Sequence, residues 1–421
     1  MSSKKNILNK WLDLFLKIGP GIFAIGYTIG TGSVTSLIVA GSQFGMQLLW
    51  VLFLSCLFSW VLMEAYGRYA IVTGSTALYG FKKHLKFGNT IAILIIIGIT
   101  FGQWNSLIGI LGITANAFYE TLSMFIPVLA GYEYLSVLSI AIIIIGLMYL
   151  ILWKGKFSLF ERILLFFVSL MGLSFLVSLF ITSPNINEVV SGFIPSVPDV
   201  PGGKMLVAAF VGTTMASATF ISRPLFIKGK KWGMEQMKNQ QKDALWAALL
   251  IFAISTAIMA VASGAMFGSG QSISKVLDMV YVLEPTAGKF AVSIFFVGTM
   301  AAGLSSVFPI LMIAPIMIAD YKNGELDIKS KQFKLIAFVT CIIGLSVPLL
   351  GSNPIKAQIL TQVLNVFVLP LVILSISILI NKKEIMGKYK AGWKLNTGLI
   401  AAFIFACIIS FNGAIAIGEN L

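Results

Sequence analysis

Two apolar stretches of the chain are interrupted by residues that could bind a cation or a small polar solute. Within residues 13–40 the interruption consists of Thr28, Gly30, Thr31, Gly32 and Ser33. Within residues 204–228 it consists of Gly212, Thr213, Thr214, Met215, Ala216, Ser217 and Thr219. Glycine is about 1 kcal/mol less favourable than alanine inside a helix, and lipid tolerates a broken backbone only where it lines a cavity. We therefore predict two broken helices whose hydroxyls and freed carbonyls face a substrate, although close packing of small residues is the alternative.

Residues that support acid–base, redox or soft-metal chemistry are scarce. The only histidine, His84, follows two lysines in a basic segment, and neither interruption contains a charged residue. The three cysteines, Cys56, Cys341 and Cys407, lie in apolar runs without a CxxC pair, as small hydrophobic residues do. No nucleophile–base pair or paired carboxylates occur in an apolar stretch. An enzyme is therefore the least favoured class, and we expect no cofactor.

Two charged residues lie inside apolar stretches, where ionisable groups are functional candidates. Glu64 precedes Arg68 by four residues, a spacing that favours an ion pair on one helix face. Arg223 precedes a proline and a lysine cluster, so we interpret it as a topology anchor, with a gating role as the alternative. We expect Asp243 and Asp320 to pair with nearby lysines.

The composition is that of a polytopic membrane protein. Of 421 residues, 58% are hydrophobic and only 11% are charged, whereas soluble domains carry about 25% charged residues. A membrane-crossing helix needs about 20 apolar residues. This length predicts an all-α protein with eleven spans, at residues 13–40, 46–71, 89–117, 133–153, 160–182, 204–228, 242–265, 288–320, 333–351, 355–380 and 396–417.

The distribution of basic residues predicts the orientation of these spans. With the amino terminus inside, every Lys and Arg except Lys204, Lys275, Lys289 and Lys356 falls on the inner side, as the positive-inside rule requires. The net charge of +14 therefore reflects topology, and we expect lipid rather than nucleic acid as its partner. We predict a plasma or inner membrane protein with a cytoplasmic amino terminus and an outer carboxy terminus.

The two interruptions lie five spans apart. Matching broken helices in two halves are typical of inverted-repeat transporters, in which half-helix ends face a central substrate. We therefore predict a single transporter domain over residues 1–421, with repeats at about 13–182 and 204–380 and an extra helix at about 396–417. Such a transporter works by alternating access.

Short motifs on matching spans give the chain a family resemblance. They are Gly19-Pro20-Gly21 in span one, Ile71-Val72-Thr73-Gly74 after span two, Ala301-Ala302-Gly303-Leu304-Ser305-Ser306 in span eight, and Gln362-Val363 with Leu369-Pro370 in span ten. In this order they resemble the Nramp family of divalent-metal transporters. The resemblance implies a LeuT-like fold of ten helices plus one, built as a 5+5 inverted repeat with broken helices 1 and 6.

The family's metal-binding motifs are altered in this chain. Its span-one Asp-Pro-Gly-Asn aligns with Gly30, Thr31, Gly32 and Ser33. Its span-six Met-Pro-His aligns with Ala216, Ser217 and Ala218, and Met215 stands one position early. The family's span-three acids align with Gln103 and Ser106. Because these positions supply no carboxylate or imidazole, the family's proton coupling and its transition-metal selectivity are both in question.

The remaining oxygen-rich set predicts a site between spans one, six and ten. Its residues are Thr28, Gly30, Thr31, Gly32, Ser33, Thr213, Thr214, Met215, Ala216, Ser217 and Gln362, with Ser33 and Gln362 as candidate metal ligands. A hard ion such as Mg2+ keeps several waters and needs few protein ligands. We therefore expect a divalent or other metal cation as substrate. The alternatives are a Na+-coupled carrier of an organic solute and a non-transporting receptor or sensor on a transporter scaffold.

Overall fold

A computed structural model of the chain describes residues 19–123, 126–155, 157–181, 184–197, 202–268, 278–350 and 354–420. All regular secondary structure in these residues is helical. The helices are α1 (Gly21–Thr28), α2 (Thr31–Phe44), α3 (Leu49–Thr73), α4 (Ala77–His84), α5 (Gly88–Ser123), α6 (Glu133–Trp153), α7 (Phe157–Ile181), α8 (Ile186–Ser191), α9 (Gly203–Thr214), α10 (Ser217–Gly229), α11 (Met237–Met266), α12 (Asp278–Asn323), α13 (Lys331–Gly344), α14 (Ser346–Leu350), α15 (Pro354–Asn365), α16 (Leu369–Asn381), α17 (Lys383–Met386) and α18 (Trp393–Asn420).

Ten of the eleven predicted spans reappear in the described residues. Nine segments are long and apolar enough to cross a membrane, and α1 with α2 forms a tenth, bent by 55°. The predicted span 333–351 is instead divided into α13 and α14 at Leu345. Pro348 explains the division, because proline has no N–H for the carbonyl of Gly344 and its ring clashes with that carbonyl. Residues 13–18, 182 and 351 of the predicted spans lie outside the described residues.

The first break falls where the glycines predict it. Helix α1 ends at Thr28, and Ile29 and Gly30 leave helical geometry, with Gly30 extended at φ −97° and ψ 180°. Helix α2 then begins at Thr31. A Cβ at Gly30 would overlap the Ser306 hydroxyl of α12. Glycine is therefore needed at this position for the close approach of α12, as well as for the break itself.

The second break lies three residues later than the glycine that suggested it. Gly212 remains helical, and the chain leaves helical geometry at Met215 and Ala216 before α10 begins at Ser217. A Cβ on Gly212 would overlap the backbone carbonyl of Gln362. Gly212 thus serves the close approach of α9 and α15 rather than the break.

Helix packing brings the two breaks together at the centre of the bundle. Helix α5 packs along α12 and α15, α2 along α11, and α9 against α15, α3 and α2. The residues of α1, α9 and α10, which flank the breaks, are almost all buried. Both breaks are therefore covered by other helices and lie away from lipid, as lipid requires of irregular backbone. The proposed boundaries of the two repeats stay a prediction.

Candidate functional site

A small polar cavity lies between the two breaks. Its volume is about 20 Å³, enough for one water molecule or one small ion. Its walls come from α1, α2, α5, α9, α12 and α15 and from both breaks. The lining residues are Tyr27, Thr28, Gly30, Gly32, Ser33, Gln103, Ser106, Ile110, Thr213, Ala216, Ile310, Gln362 and Asn365.

Seven of the eleven predicted substrate-binding residues line this cavity: Thr28, Gly30, Gly32, Ser33, Thr213, Ala216 and Gln362. Thr214, Met215 and Ser217 are buried but are not part of the lining. The reason is the turn of the second break, which presents Ala216 to the cavity, while Met215 is packed in the apolar core at 1% exposure. The side chain of Thr31 lies outside the described residues. The thioether is therefore absent from the described wall of the cavity.

Sequence reasoning missed three polar lining residues as parts of the site. Gln103 and Ser106 of α5 were noticed only as replacements for family acids, and Asn365 of α15 was not noticed. A signal for Asn365 exists in the sequence. Gln358, Gln362 and Asn365 are spaced by four and three residues, which places them on one face of a helix.

The amides on α5 and α15 form a continuous hydrogen-bonded chain. Gln103 Nε2 donates to Asn365 Oδ1 at 3.2 Å, and Asn365 Nδ2 donates to Gln362 Oε1 at 3.2 Å. Gln362 Nε2 donates to Ser106 Oγ at 3.1 Å, and Gln358 Nε2 donates to the same hydroxyl at 3.2 Å. We call these five residues the amide seam. Ser106 is its hub, because its oxygen accepts from two amides.

Glycines on the facing helices make room for the amide seam. A Cβ at Gly102 would overlap the Asn365 amide, and a Cβ at Gly109 would overlap the Gln358 amide. A Cβ at Gly32 would lie 2.6 Å from Gln362 Nε2, a distance that real Cβ contacts do not reach. The positions of these glycines therefore let amide groups, rather than methyl groups, fill the space between the helices.

Three carbonyls near the breaks accept hydrogen bonds from hydroxyls of other segments. Ser306 Oγ donates to the Gly26 carbonyl at 2.8 Å, and Thr213 Oγ1 donates to the Thr28 carbonyl at 3.2 Å. Ser59 Oγ donates to the Thr214 carbonyl at 2.9 Å. Since a buried carbonyl needs a partner, these hydroxyls stabilise the breaks. Each hydroxyl occupies one of the two lone pairs of the carbonyl to which it donates.

The described lining of the cavity carries no formal charge. It contains no Asp, Glu, His, Cys, Lys or Arg. Across the described residues, no three His, Cys, Asp or Glu side chains come together as a metal ligand set. The cavity can therefore offer hydroxyl and amide oxygens, which are hard ligands, and no imidazole, thiolate or carboxylate.

The two charged residues predicted to act in gating or structure lie outside the cavity. Glu64 pairs with Arg68 at 2.6 Å on α3, as the spacing predicted. Arg223 pairs with Asp243 at 2.8 Å, and both side chains are almost fully buried. The expectation that Asp243 pairs with a lysine is thus wrong, because the guanidinium of Arg223 on α10 is within reach of α11. Asp320 accepts backbone N–H groups of Leu78 and Tyr79 at the start of α4.

Comparison with known proteins decides the family. A family model described as natural resistance-associated macrophage protein-like, or Nramp, matches residues 21–416. The chain belongs to the Nramp family. It is 25% identical to the divalent metal cation transporter MntH of Vibrio campbellii, over 97% of this chain and 94% of that protein. It is 24% identical to the natural resistance-associated macrophage protein 2 homolog of Dictyostelium discoideum, over 97% of this chain and 64% of the relative.

A solved Nramp structure confirms the fold. The manganese transporter of Eremococcus coleocola, in complex with an aromatic bis-isothiourea substituted compound, superposes with a TM-score of 0.72 at 14% identity, over 97% of this chain and 87% of that one. The predictions of an all-helical, LeuT-like membrane protein and of a transporter rather than an enzyme are confirmed. The described lining of the central cavity in this Nramp protein is neutral. The family motifs that align with this region contain Asp and His instead.

Proposed function

We propose that this Nramp protein moves a hard divalent cation, Mg2+ in the first instance, by alternating access through the central cavity. The names of its relatives support a divalent metal as the class of substrate. The described lining supports the choice within that class, because Fe, Ni, Cu and Zn favour imidazole or sulfur ligands, whereas Mg2+ favours oxygen. The neutral, oxygen-only polar lining is the observation that carries the proposal.

The proposed ligands follow from the geometry of the lining. Ser33 and Gln362 lie in the wall together with Thr28 and Thr213. The Gln362 carbonyl accepts one hydrogen bond from Asn365 and keeps a second lone pair for the ion or for one of its waters. Gln103 belongs to the same wall and is an additional candidate. Few protein ligands suffice, since Mg2+ retains several waters.

The size of the cavity favours an ion over an organic solute. A volume of about 20 Å³ is far below the 300–1,000 Å³ typical of pockets for organic ligands. In the described conformation the cavity has room for about one ion or one water molecule. Passage therefore requires the helices around it to separate, first on one side of the membrane and then on the other.

Orientation belongs to the proposal as well. We expect a cytoplasmic amino terminus and an outer carboxy terminus in a plasma or inner membrane, because the basic residues fall almost entirely on one side of the predicted spans. Labelling of a cysteine introduced after residue 420 by a membrane-impermeant reagent, added to intact cells, tests this arrangement.

Tracer uptake into proteoliposomes tests the transport proposal. Saturable uptake of Mg2+ is expected at fixed pH without added Na+, with Mn2+ moved less well, and no uptake by empty vesicles. Gln362→Ala should lower uptake at low ion concentration by about tenfold to a hundredfold, since a hydrogen bond or ligand to a charged group contributes about 1.5–3 kcal/mol. Gln332→Ala, which removes an exposed glutamine, is the control. Uptake that needs Na+ and an organic solute would instead support the carrier alternative, and no uptake at all would favour the receptor alternative.

A sulfur atom placed in the cavity tests the basis of selectivity. Ala216 lines the cavity, and the Ala216→Met variant would supply a thioether there. We expect its uptake of Mn2+ relative to Mg2+ to rise, because soft ligands favour transition metals. Ala216→Leu fills a similar volume without sulfur and should leave the ratio unchanged. Equal ratios in the two variants would contradict the explanation by ligand softness.

A further inference from the structure

A second cavity, far larger than the first, lies at one end of the helix bundle. Its volume is about 610 Å³. The wall is formed by α4, α17 and the ends of α3, α10 and α12. We call this end the basic end. The lining residues are Val72, Thr73, Gly74, Ser75, Thr76, Tyr79, Lys83, His84, Lys228, Asn323, Gly324, Glu384 and Ile385.

Two glycines with positive φ shape the wall of this cavity. Gly74 ends α3 at φ +63°, and Gly324 follows α12 at φ +63°, a region that glycine reaches without strain. Asp320 accepts the N–H groups of Leu78 and Tyr79 and so fixes the start of α4 to α12. The loop between α3 and α4 is therefore held in place, and its hydroxyl residues form part of a defined wall.

The charge of the wall is positive. Lys83 and Lys228 contribute ammonium groups, and Glu384 is the single acid among the described lining residues. Lys228 Nζ donates to the Gly324 carbonyl at 2.9 Å and lies 3.6 Å from Glu325, yet its side chain remains 43% exposed. Part of its charge is therefore available to the cavity.

The wall also contains the imidazole of His84, which lies close to positive charges. Partial burial lowers the pKa of His84, and the charges of Lys83 and Lys382 lower it further. Lys382 Nζ also donates to the His84 backbone carbonyl. His84 is therefore mainly neutral at physiological pH, and its ring N–H is available as a hydrogen-bond donor.

Hydroxyl groups complete the donor set. Thr73, Ser75, Thr76 and Tyr79 all belong to the lining. Thr73 Oγ1 donates to the Tyr69 carbonyl at 2.7 Å and accepts the Ser75 N–H at 3.1 Å, which orders this part of the wall. Lysines combined with hydroxyl donors recognise phosphate oxygens, for which lysine acts as a point charge.

We propose that the cavity at the basic end binds a phosphate-bearing anion, held by Lys83 and Lys228 and by hydroxyls of the loop between α3 and α4. Its volume falls in the 300–1,000 Å³ range of organic ligand pockets, so the anion is larger than a free phosphate ion. The site is distinct from the central cavity, and its occupancy does not depend on the identity of the transported ion. The phosphate belongs either to a soluble compound or to a lipid headgroup.

Equilibrium dialysis with radiolabelled pyrophosphate tests the proposal. The full chain is placed in nanodiscs of phosphatidylcholine, which carries no net charge. Saturable binding is expected, and the variant Lys83→Gln/Lys228→Gln should bind about tenfold more weakly or worse, because contacts with charged groups are the strong ones. Glu384→Gln, which removes the acid, should bind more tightly. Lys238→Gln/Lys331→Gln removes the same charge from exposed positions outside the lining and should bind as the wild type does.

Nanodiscs that contain phosphatidylglycerol distinguish the two sources of phosphate. If a lipid headgroup fills the cavity, pyrophosphate binding to the wild type should fall, and the wild type should retain more phosphatidylglycerol by mass spectrometry than Lys83→Gln/Lys228→Gln. If the ligand is soluble, pyrophosphate binding should be the same in both kinds of disc. The proposal is overturned if neither pyrophosphate binding nor lipid retention separates the wild type from Lys83→Gln/Lys228→Gln, or if the control variant loses as much.

Discussion

The buried ion pair beside the first helix offers a quantitative test of the fold. Arg223 and Asp243 lie 2.8 Å apart with side chains only 2% and 3% exposed, and both oxygens of Asp243 also accept the Gly21 N–H, at 3.0 and 3.2 Å. Asp243 thus joins α10, α11 and the start of α1. The variant Arg223→Met keeps an unbranched side chain, shorter than that of arginine, but leaves a buried carboxylate without its counter-charge. We expect it to lower the free energy of unfolding by about 3–5 kcal/mol.

An exposed ion pair of the same protein sets the scale. Lys204 and Glu419 lie 3.2 Å apart, with side chains 50% and 56% exposed. Because water screens such a pair, Lys204→Met should change the free energy of unfolding by about 0–1 kcal/mol. Unfolding of the purified protein in mixed micelles, followed as the fraction of sodium dodecyl sulfate is raised, measures both variants under one condition.

A double variant separates the buried charge from the helix packing. In Arg223→Met/Asp243→Leu no uncompensated charge remains, so part of the lost stability should return, as it does when buried pairs are replaced by apolar residues. Recovery should be incomplete, since the Gly21 N–H has lost its acceptor. The reasoning is refuted if Arg223→Met is no more destabilising than Lys204→Met, or if the double variant is less stable than Arg223→Met alone.

Two further predictions concern the central cavity. Uptake rates in proteoliposomes with equal pH on both sides should vary less than about twofold between pH 5.5 and 8, because no described lining residue is a His, Asp or Glu. A steep pH profile would show that a titratable group elsewhere is coupled to transport. Ser106→Ala should lower the free energy of unfolding by about 1–3 kcal/mol, since two buried amides lose one acceptor and each such bond in a membrane protein is worth about 0.6–1.7 kcal/mol. The control is Ser305→Ala, which removes a hydroxyl bonded within its own helix. It should lower the free energy of unfolding by about 0.5 kcal/mol in the same assay. Equal losses in Ser106→Ala and Ser305→Ala would mean that the amide seam does not stabilise the fold.

Local composition was enough to predict the spans and the first break. Ten of the eleven predicted spans appear in the described residues as helical segments long enough to cross a membrane, because lipid leaves the backbone few alternatives to a helix. Gly30 also marked the first break correctly, whereas Gly32 lies inside α2. The division of span nine at Leu345 was missed, although Pro348 three residues later is a signal that could have indicated it.

The composition of the cavity wall depended on information that one sequence does not carry. Ser217 was predicted in the site because it carries a hydroxyl, and Met215 because it carries the one thioether near the breaks, but of these three consecutive residues only Ala216 lines the described cavity. The side-chain direction in an unwound segment changes from one residue to the next and has no fixed period. The contribution of Gln103 and Asn365 depended on the packing of α5 against α15, which is a long-range contact.

The amide seam and the neutral cavity both follow from the presence of amide and hydroxyl side chains, rather than carboxylates, at the centre of the bundle. A buried carboxylate about 4 Å from a divalent ion would contribute about 8 kcal/mol of attraction at an effective dielectric constant of 20, twice the value for two unit charges. Amide and hydroxyl dipoles attract the ion much less strongly than a carboxylate would. They also avoid burying a carboxylate in the central cavity whenever the ion is absent, because the amides satisfy one another through the hydrogen bonds that join Gln103, Asn365, Gln362 and Ser106. A site of this kind should bind its ion weakly, leave it part of its hydration shell, and need no proton to neutralise the empty state.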